Sequence, residues 1–368
     1  MLFVGADDVC SDKKGRLKEA IDMKILLDAM GGDNAPDAVI KGAVKAINEI
    51  ESEIILLGDS EIINAKVKEF YGKDTIQELS PKFSIHHTTE IINMEDKPTD
   101  AIKHKKDSSM VVGFKMLKEG EGDVFISAGN SGALLTGATL LVGRIKGIDR
   151  PAMAPMLPAY GKRLMLIDAG ANTNCKPLNL VQFAQMATIY IKNTYGIEEP
   201  AIGLLNIGTE ATKGNELIRE SYQILANNSK KLGINFVGNV EGRDAFSGKI
   251  DAIVCDGFTG NVFLKTVEGF GKLVKRTLTE SLTKSIFSKI AAIPAMRGIK
   301  RFSKTMDYKE YGGALFLGVK RPVVKAHGSS DEKLFHYTIK QAEEFAKNKA
   351  VDMMIDQFSN LETFKPNK

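Results

Sequence analysis

The chain has 368 residues, 43% hydrophobic and 26% charged, enough apolar material to bury a full core in one large domain or two ordinary ones. Fifty bases against 46 acids give +4, far from the excess that a nucleic-acid binder carries. Three widely spaced cysteines, Cys10, Cys175 and Cys255, form neither a disulfide framework nor a zinc pattern. No run approaches the roughly 18 apolar residues of a spanning helix. The N-terminus lacks the basic and apolar regions of a secretory signal. The expectation is a cytoplasmic protein without metal or cofactor.

Residues 1–22 are polar and charged and read as an extension outside the core. One unit then recurs: a short apolar run, the signature of a strand buried on both faces, ends in small polar residues and a helical pattern follows. KILLD (24–28) leads into AMGGDNAPD and a helix that Asp33 or Asn34 is placed to cap near Pro36. IILL (54–57) leads into GDS and a second helix. His86 and His87 fall on an extended stretch and read as structural. In DKPTDAIKHKKDSSM, Lys103, His104, Lys105 and Lys106 precede Ser108 and Ser109, which are placed to cap the next helix. DVFI (123–126) leads into SAGNSG, and LMLI (164–167) leads into DAGANTN and a helix over 178–195. AIGLL (201–205) leads into NIGTEATKG and a helix over 215–226, and DAIVC (251–255) leads into DGFTGN and a long helix.

This order predicts an α/β fold, a three-layer α/β/α sandwich with a mostly parallel sheet. In such sheets ligands sit beyond the carboxyl ends of the strands, so five Gly/Asn/Asp/Ser/Thr loops are expected at one edge. SAGNSGAL (127–134) is the sharpest of them. Gly129 and Gly132 let the backbone approach a ligand, Asn130 and Ser131 offer side chains, and unpaired N–H groups suit an anion; a plain capped turn is the alternative. Ser108, Ser109, Lys213 and Lys265 are further anion contacts on this reading, with solvated charge as the alternative for the lysines. Neither G-x-G-x-x-G nor G-x-x-x-x-G-K-[ST] is present after a strand. His327, in AHGSS after the extended run RPVVK, is the best single candidate for proton transfer. Cys255 at a buried strand end reads as an inert core thiol, with a nucleophile as its rival.

Between residues 282 and 305 lie six bases (Lys284, Lys289, Arg297, Lys300, Arg301, Lys304) and no acid; without them 44 bases face 46 acids. Wound as a helix, Met296, Ile299, Phe302 and Met306 oppose Arg297, Lys300, Arg301 and Lys304. Lys289, Arg297, Lys300, Arg301, Ile299 and Phe302 therefore make a basic amphipathic hairpin at about 282–306. It is suited to an anionic membrane or an acidic protein, or to packing on its own domain or a dimer partner.

As a set, DAMGGDNAP (28–36), DSSM (107–110), SAGNSGAL, RPAMAP (150–155), DAGAN (168–172), LLNIGTEATKG (204–214), GNVEGRD (238–244), CDGFTGNVFLKTVEG (255–269), YGGALFLGV (311–319) and HGSS (327–330) resemble the bacterial acyl-acyl carrier protein:phosphate acyltransferases. The match starts at Met23 and spans nearly the whole chain, with Ser131 where the family has Thr and without the Pro common in its GGAPLLG. The resemblance implies one α/β/α acyltransferase domain over 23–368, similar to isocitrate and isopropylmalate dehydrogenases, and a homodimer. It also implies transfer of a long-chain acyl group from acyl-acyl carrier protein to inorganic phosphate, giving acyl phosphate for glycerol-3-phosphate acylation. Contact with the inner membrane face and with the downstream acyltransferase follows from the same resemblance. Phosphate is assigned to Gly129, Asn130, Ser131, Gly132, Ser108, Ser109 and Lys213. Catalytic roles go to His327, to protonate the leaving thiolate or to orient phosphate, and to Asn172, Asn206 and Asn261 as carbonyl or oxyanion donors. A dehydrogenase on the related fold and a non-catalytic scaffold for acyl carrier protein are the alternatives.

Overall fold

The computed structural model describes residues 23–283 and 312–360. In chain order the elements are β1 (Lys24–Asp28), α1 (Asp37–Ala46), β2 (Glu53–Gly58), α2 (Ser60–Tyr71), β3 (Phe83–His87), α3 (Pro98–His104), α4 (Ser109–Glu119), β4 (Val124–Ser127) and α5 (Ser131–Gly137). Next come β5 (Ala152–Ala154), β6 (Met156–Ala159), β7 (Lys162–Ile167), α6 (Pro177–Tyr195), β8 (Ala201–Asn206), α7 (Glu216–Leu232), β9 (Asn235–Glu241), β10 (Ala252–Val254) and α8 (Gly257–Thr283). β11 (Ala314–Leu317), β12 (Val323–Lys325), α9 (Glu332–Lys347) and α10 (Ala350–Asn360) follow. The described residues divide into two compact units: one holds the chain up to Arg144 with Val319–Val351, the other Ile145–Gly318 with the chain from Asp352.

In the first unit five parallel strands lie in the order β3-β2-β1-β4-β12. Ile25, Leu26 and Leu27 of β1 alternate across the sheet, and none has any exposure, so both faces are covered. That is why KILLD is an unbroken apolar run rather than an alternating one. Helix α4 packs on β1, β2 and β4, while α9 packs on β1, β4, β12 and α1. Each such buried Leu or Ile contributes about 1.5–3 kcal/mol relative to exposure.

The second unit has the order β6-β7-β10-β8-β9, parallel except for β6 on β7, and an antiparallel pair of β5 with β11. On one face Leu164, Leu166, Ile253 and Cys255 meet Phe263 and Leu264 of α8. Phe246 stacks on Phe263 with ring centroids 5.6 Å apart. Helix α6 also packs against this sheet and is buried all round from Asn179 to Ile191, as a central helix must be. The expected α/β class with mostly parallel strands flanked by helices is what the structure has, but the strands form two sheets rather than the single one expected.

Several local expectations change. Neither Asp33 nor Asn34 caps α1 with its side chain. The Asn34 amide instead donates to Ser330 O at 3.1 Å, because the loop after β12 folds over it and supplies an acceptor. Helix α7 continues past Ala226 to Leu232 and stops at Gly233, whose φ of +66° gives the left-handed cap. The strand in DAIVC is only Ala252–Val254. The extension 1–22 and the hairpin residues Lys289, Arg297, Ile299, Lys300, Arg301 and Phe302 lie outside the described residues.

Candidate functional site

At the carboxyl edge of the first unit's sheet, β1, β4 and β12 end in Asp28, Ser127 and Lys325, all buried. Asp28 Oδ1 accepts from Ser109 Oγ at 2.6 Å and Met30 N at 3.1 Å, while Oδ2 accepts from Ser127 Oγ at 2.6 Å. Ser127 Oγ in turn accepts the Gly129 N–H at 3.0 Å. The three loops close over this centre. Asp33 N donates to Gly328 O at 2.8 Å, and a Cβ on Gly31 would lie 2.4 Å from Asp28 Oδ2 and 2.9 Å from Gly129 N. Only a glycine admits that approach.

The Ser127–Gly132 loop has one face tied down and one open. Asn130 caps α5, accepting the Ala133 N–H at 3.0 Å, and its amide donates to the carbonyls of Met94 (2.9 Å), Asp96 (3.0 Å) and Asn93 (3.3 Å). Its side chain is therefore committed to holding the 93–96 loop. Ser131 is exposed and its hydroxyl has no partner among the described residues. The N–H groups of Asn130, Ser131 and Gly132 likewise meet no acceptor among the described residues. Unpaired backbone donors beside a free hydroxyl suit an oxyanion.

Ser108 and Ser109 are placed as caps and tethers. Ser108 accepts the Val111 N–H and donates to Lys105 O, and Ser109 donates to Asp28. Lys105 is paired with Asp96 at 2.5 Å, and Lys265 with Glu268 at 2.9 Å, so these two lysines already have acidic partners. His327 Nδ1 accepts the Ser329 N–H at 3.2 Å and meets Ser329 Oγ at 2.9 Å. A backbone donor on Nδ1 puts the proton of the neutral ring on Nε2.

In the second unit the loop after β7 is organised by Asp168, which has no exposure. Its carboxylate accepts the N–H groups of Met153, Gly170, Ala171 and Asn172 and the Asn172 side-chain amide, at 2.6–3.2 Å. Burial pushes the Asp168 carboxyl above the usual carboxylate range against those hydrogen bonds. Both amide hydrogens of Asn172 are occupied, by Asp168 and by Pro151 O at 2.7 Å. Asn206 accepts the Ile207 N–H and donates to Lys213 O at 3.2 Å. Helix α8 begins against Asp168: Gly257 N donates to Asn172 O at 2.7 Å, and a Cβ on Gly260 would meet Asp168 O at 1.9 Å. Asn261, exposed in the first turn, and the exposed Lys213 ammonium have no side-chain partner among the described residues.

Of the assigned groups, the structure thus gathers Gly129, Asn130, Ser131, Gly132, Ser108, Ser109 and His327 in the first unit. Asn172, Asn206, Asn261 and Lys213 belong to the second. Asp28, Ser127, Lys325 and Asp168 were not singled out by the sequence reading. Their one sequence signal is a polar or charged residue closing an apolar strand.

A family model described as fatty acid synthesis protein matches residues 23–353. The chain belongs to this family. A phosphate acyltransferase from Acetivibrio thermocellus is 48% identical over 341 residues, 92% of this chain and 98% of that protein. Among solved structures, a phosphotransacetylase from Streptococcus pyogenes aligns with a TM-score of 0.56 at 16% identity, covering 95% of this chain and 100% of that one. A 4-hydroxythreonine-4-phosphate dehydrogenase from Klebsiella pneumoniae aligns with a TM-score of 0.50 at 12% identity, covering 88% and 99%. These two show the fold alone. The family and its curated members make the chain an acyltransferase of fatty acid and phospholipid synthesis, and the dehydrogenase and scaffold alternatives give way.

Proposed function

We propose that the enzyme transfers a long-chain acyl group from acyl-acyl carrier protein to inorganic phosphate. The observation that carries this reading is the open face of the Ser127–Gly132 loop, with three unpaired N–H groups and the free Ser131 hydroxyl. Phosphate is anionic at neutral pH, so its chemistry needs placement and charge stabilisation more than deprotonation. A phosphate oxygen attacks the thioester carbonyl, the C–S bond breaks, and the departing thiolate takes a proton. That proton comes from the hydrogen phosphate itself, and His327, with its ring N–H on Nε2, is proposed to hydrogen-bond the departing sulfur. Ser108, Ser109 and Asn130 act by holding the loop; Gly129 and Gly132 let it pack closely on Met110 and Pro98, and Gly132 offers its backbone N–H. Asn261 is the proposed donor to the acyl donor's carbonyl, since its amide alone of the three asparagines is uncommitted, whereas Asn172 serves as a brace. Asn206 has one amide hydrogen to offer, and Lys213 offers a cation to the anionic reactants.

We also read the protein as a homodimer that touches the inner membrane face through residues 282–306, next to the acyltransferase that consumes its product. Phe258, Val262, Phe270 and Leu273 are exposed on α8 and fall within an arc of about 120°, which favours a second copy covering that stripe. No helix of the described residues is long and apolar enough to cross a membrane.

Trapping with hydroxylamine tests the reaction. Enzyme-dependent acyl hydroxamate, above the direct reaction of hydroxylamine with the thioester, that forms only when phosphate is added supports the proposal, and enzyme-dependent product without phosphate overturns it. Reversal of Arg297, Lys300 and Arg301 to Glu is expected to abolish flotation with anionic liposomes; unchanged flotation removes the membrane role.

A further inference from the structure

We infer that Lys325 is a positioning residue for the anion, holding the carbonyl oxygens of the Ser127–Gly132 loop away from it; this rests on the phosphate reading above. Lys325 closes β12 and is 7% exposed, an unusual place for an ammonium, which tolerates burial only when hydrogen-bonded. Its Nζ donates to Ala128 O at 2.8 Å and to Gly129 O at 2.7 Å.

Both peptide units that these carbonyls belong to are trans, so each C=O points opposite to the N–H of the following residue. Drawing Gly129 O onto the lysine therefore turns the Asn130 N–H to the other side. The preceding peptide is pinned at both ends, its oxygen on Lys325 and its N–H on Ser127 Oγ, which itself donates to Asp28. Left free, those two oxygens would present negative dipole ends to an arriving oxyanion. Bound to the ammonium, they are neutralised, and the lysine charge lies beneath the donors that face the ligand.

A lysine that only closed the core would, when lost, impair both substrates together. The positioning role predicts a split. In Lys325→Met, which keeps an unbranched side chain one atom shorter and loses the charge and donors, KM for inorganic phosphate is expected to rise about ten-fold. KM for the acyl donor should stay within about two-fold. Ser127→Ala, which frees the other end of the same peptide, should raise the phosphate KM about three-fold and serves if the first variant does not fold. An unchanged phosphate KM, or an equal rise for both substrates, overturns the inference. Wild-type turnover separates the two readings. Absence of phosphate-dependent product removes the proposed function and this inference with it, whereas phosphate-dependent product with an unaltered phosphate KM in the variants removes the inference alone.

Discussion

Asp168 Oδ2 accepts both the backbone N–H of Asn172, at 2.6 Å, and its side-chain amide, at 2.9 Å. One carboxylate oxygen thus locks a residue four positions ahead by main chain and side chain together. Replacing Asp168 by Asn would set an amide NH2 against these donors. We expect Asp168→Asn to lower unfolding stability by about 2–4 kcal/mol, read by urea denaturation. A loss below about 0.5 kcal/mol would mean that the loop does not depend on the carboxylate.

Ser131 is the one side chain of its loop that is exposed and unoccupied. Ser131→Ala is expected to raise KM for phosphate about ten- to 100-fold, the worth of one hydrogen bond to a charged group, and to leave the melting temperature unchanged. Steady-state kinetics with phosphate varied at saturating acyl donor reads this directly. An effect confined to the acyl donor would move Ser131 out of the phosphate site.

Burial pushes the Cys175 thiol up to about 12, with Asp168 and Asp256 adding to the push. Cys255, fully buried near the same carboxylates, is held well above the usual thiol range. Neither sulfur is a thiolate at neutral pH, so a covalent acyl-cysteine route is not expected. Cys255→Ala should keep turnover within about two-fold. Intact-mass spectrometry of enzyme quenched during turnover should show no acyl adduct on Cys255 or Cys175. A trapped thioester at either position would refute this.

Glu343 is tied to the turn before β2. Its Oε1 accepts hydrogen bonds from Ser52 Oγ at 2.7 Å, Ser52 N at 2.9 Å and Glu51 N at 2.8 Å. Burial alone would raise its carboxyl, but these hydrogen bonds and Lys347 outweigh it and hold it below the ordinary value of 4.5. A carboxyl lowered in the folded state stabilises fully above the unfolded value and loses that contribution as pH falls through the folded one. Wild-type stability should therefore decline below about pH 4.5 more steeply than that of Glu343→Gln. Melting temperatures of the two proteins between pH 3 and 7 test this; parallel curves would show that Glu343 carries no such linkage.

Much of the fold was legible because burial leaves a local mark. Strands covered on both faces, such as Lys24–Asp28 and Lys162–Ile167, are continuous apolar runs, and the small polar residues after them announce the loops. The candidate site was half legible. Gly129, Ser131 and Asn261 stand where an open loop or helix start was expected. Asn130, Ser109 and Asn172 carry the same chemistry on paper but are occupied by protein partners.

The sequence by itself determined the six recurring strand–loop–helix units and the family, since periodicity and motifs need only neighbouring residues. Tertiary structure alone decided which polar side chains face a ligand and which brace a loop. Asp28 meets Ser109 across 81 positions, and Lys325 meets Ala128 across 197. A hydrogen bond depends on which atoms the folded chain brings within about 3 Å, and at those separations no local pattern records the partner.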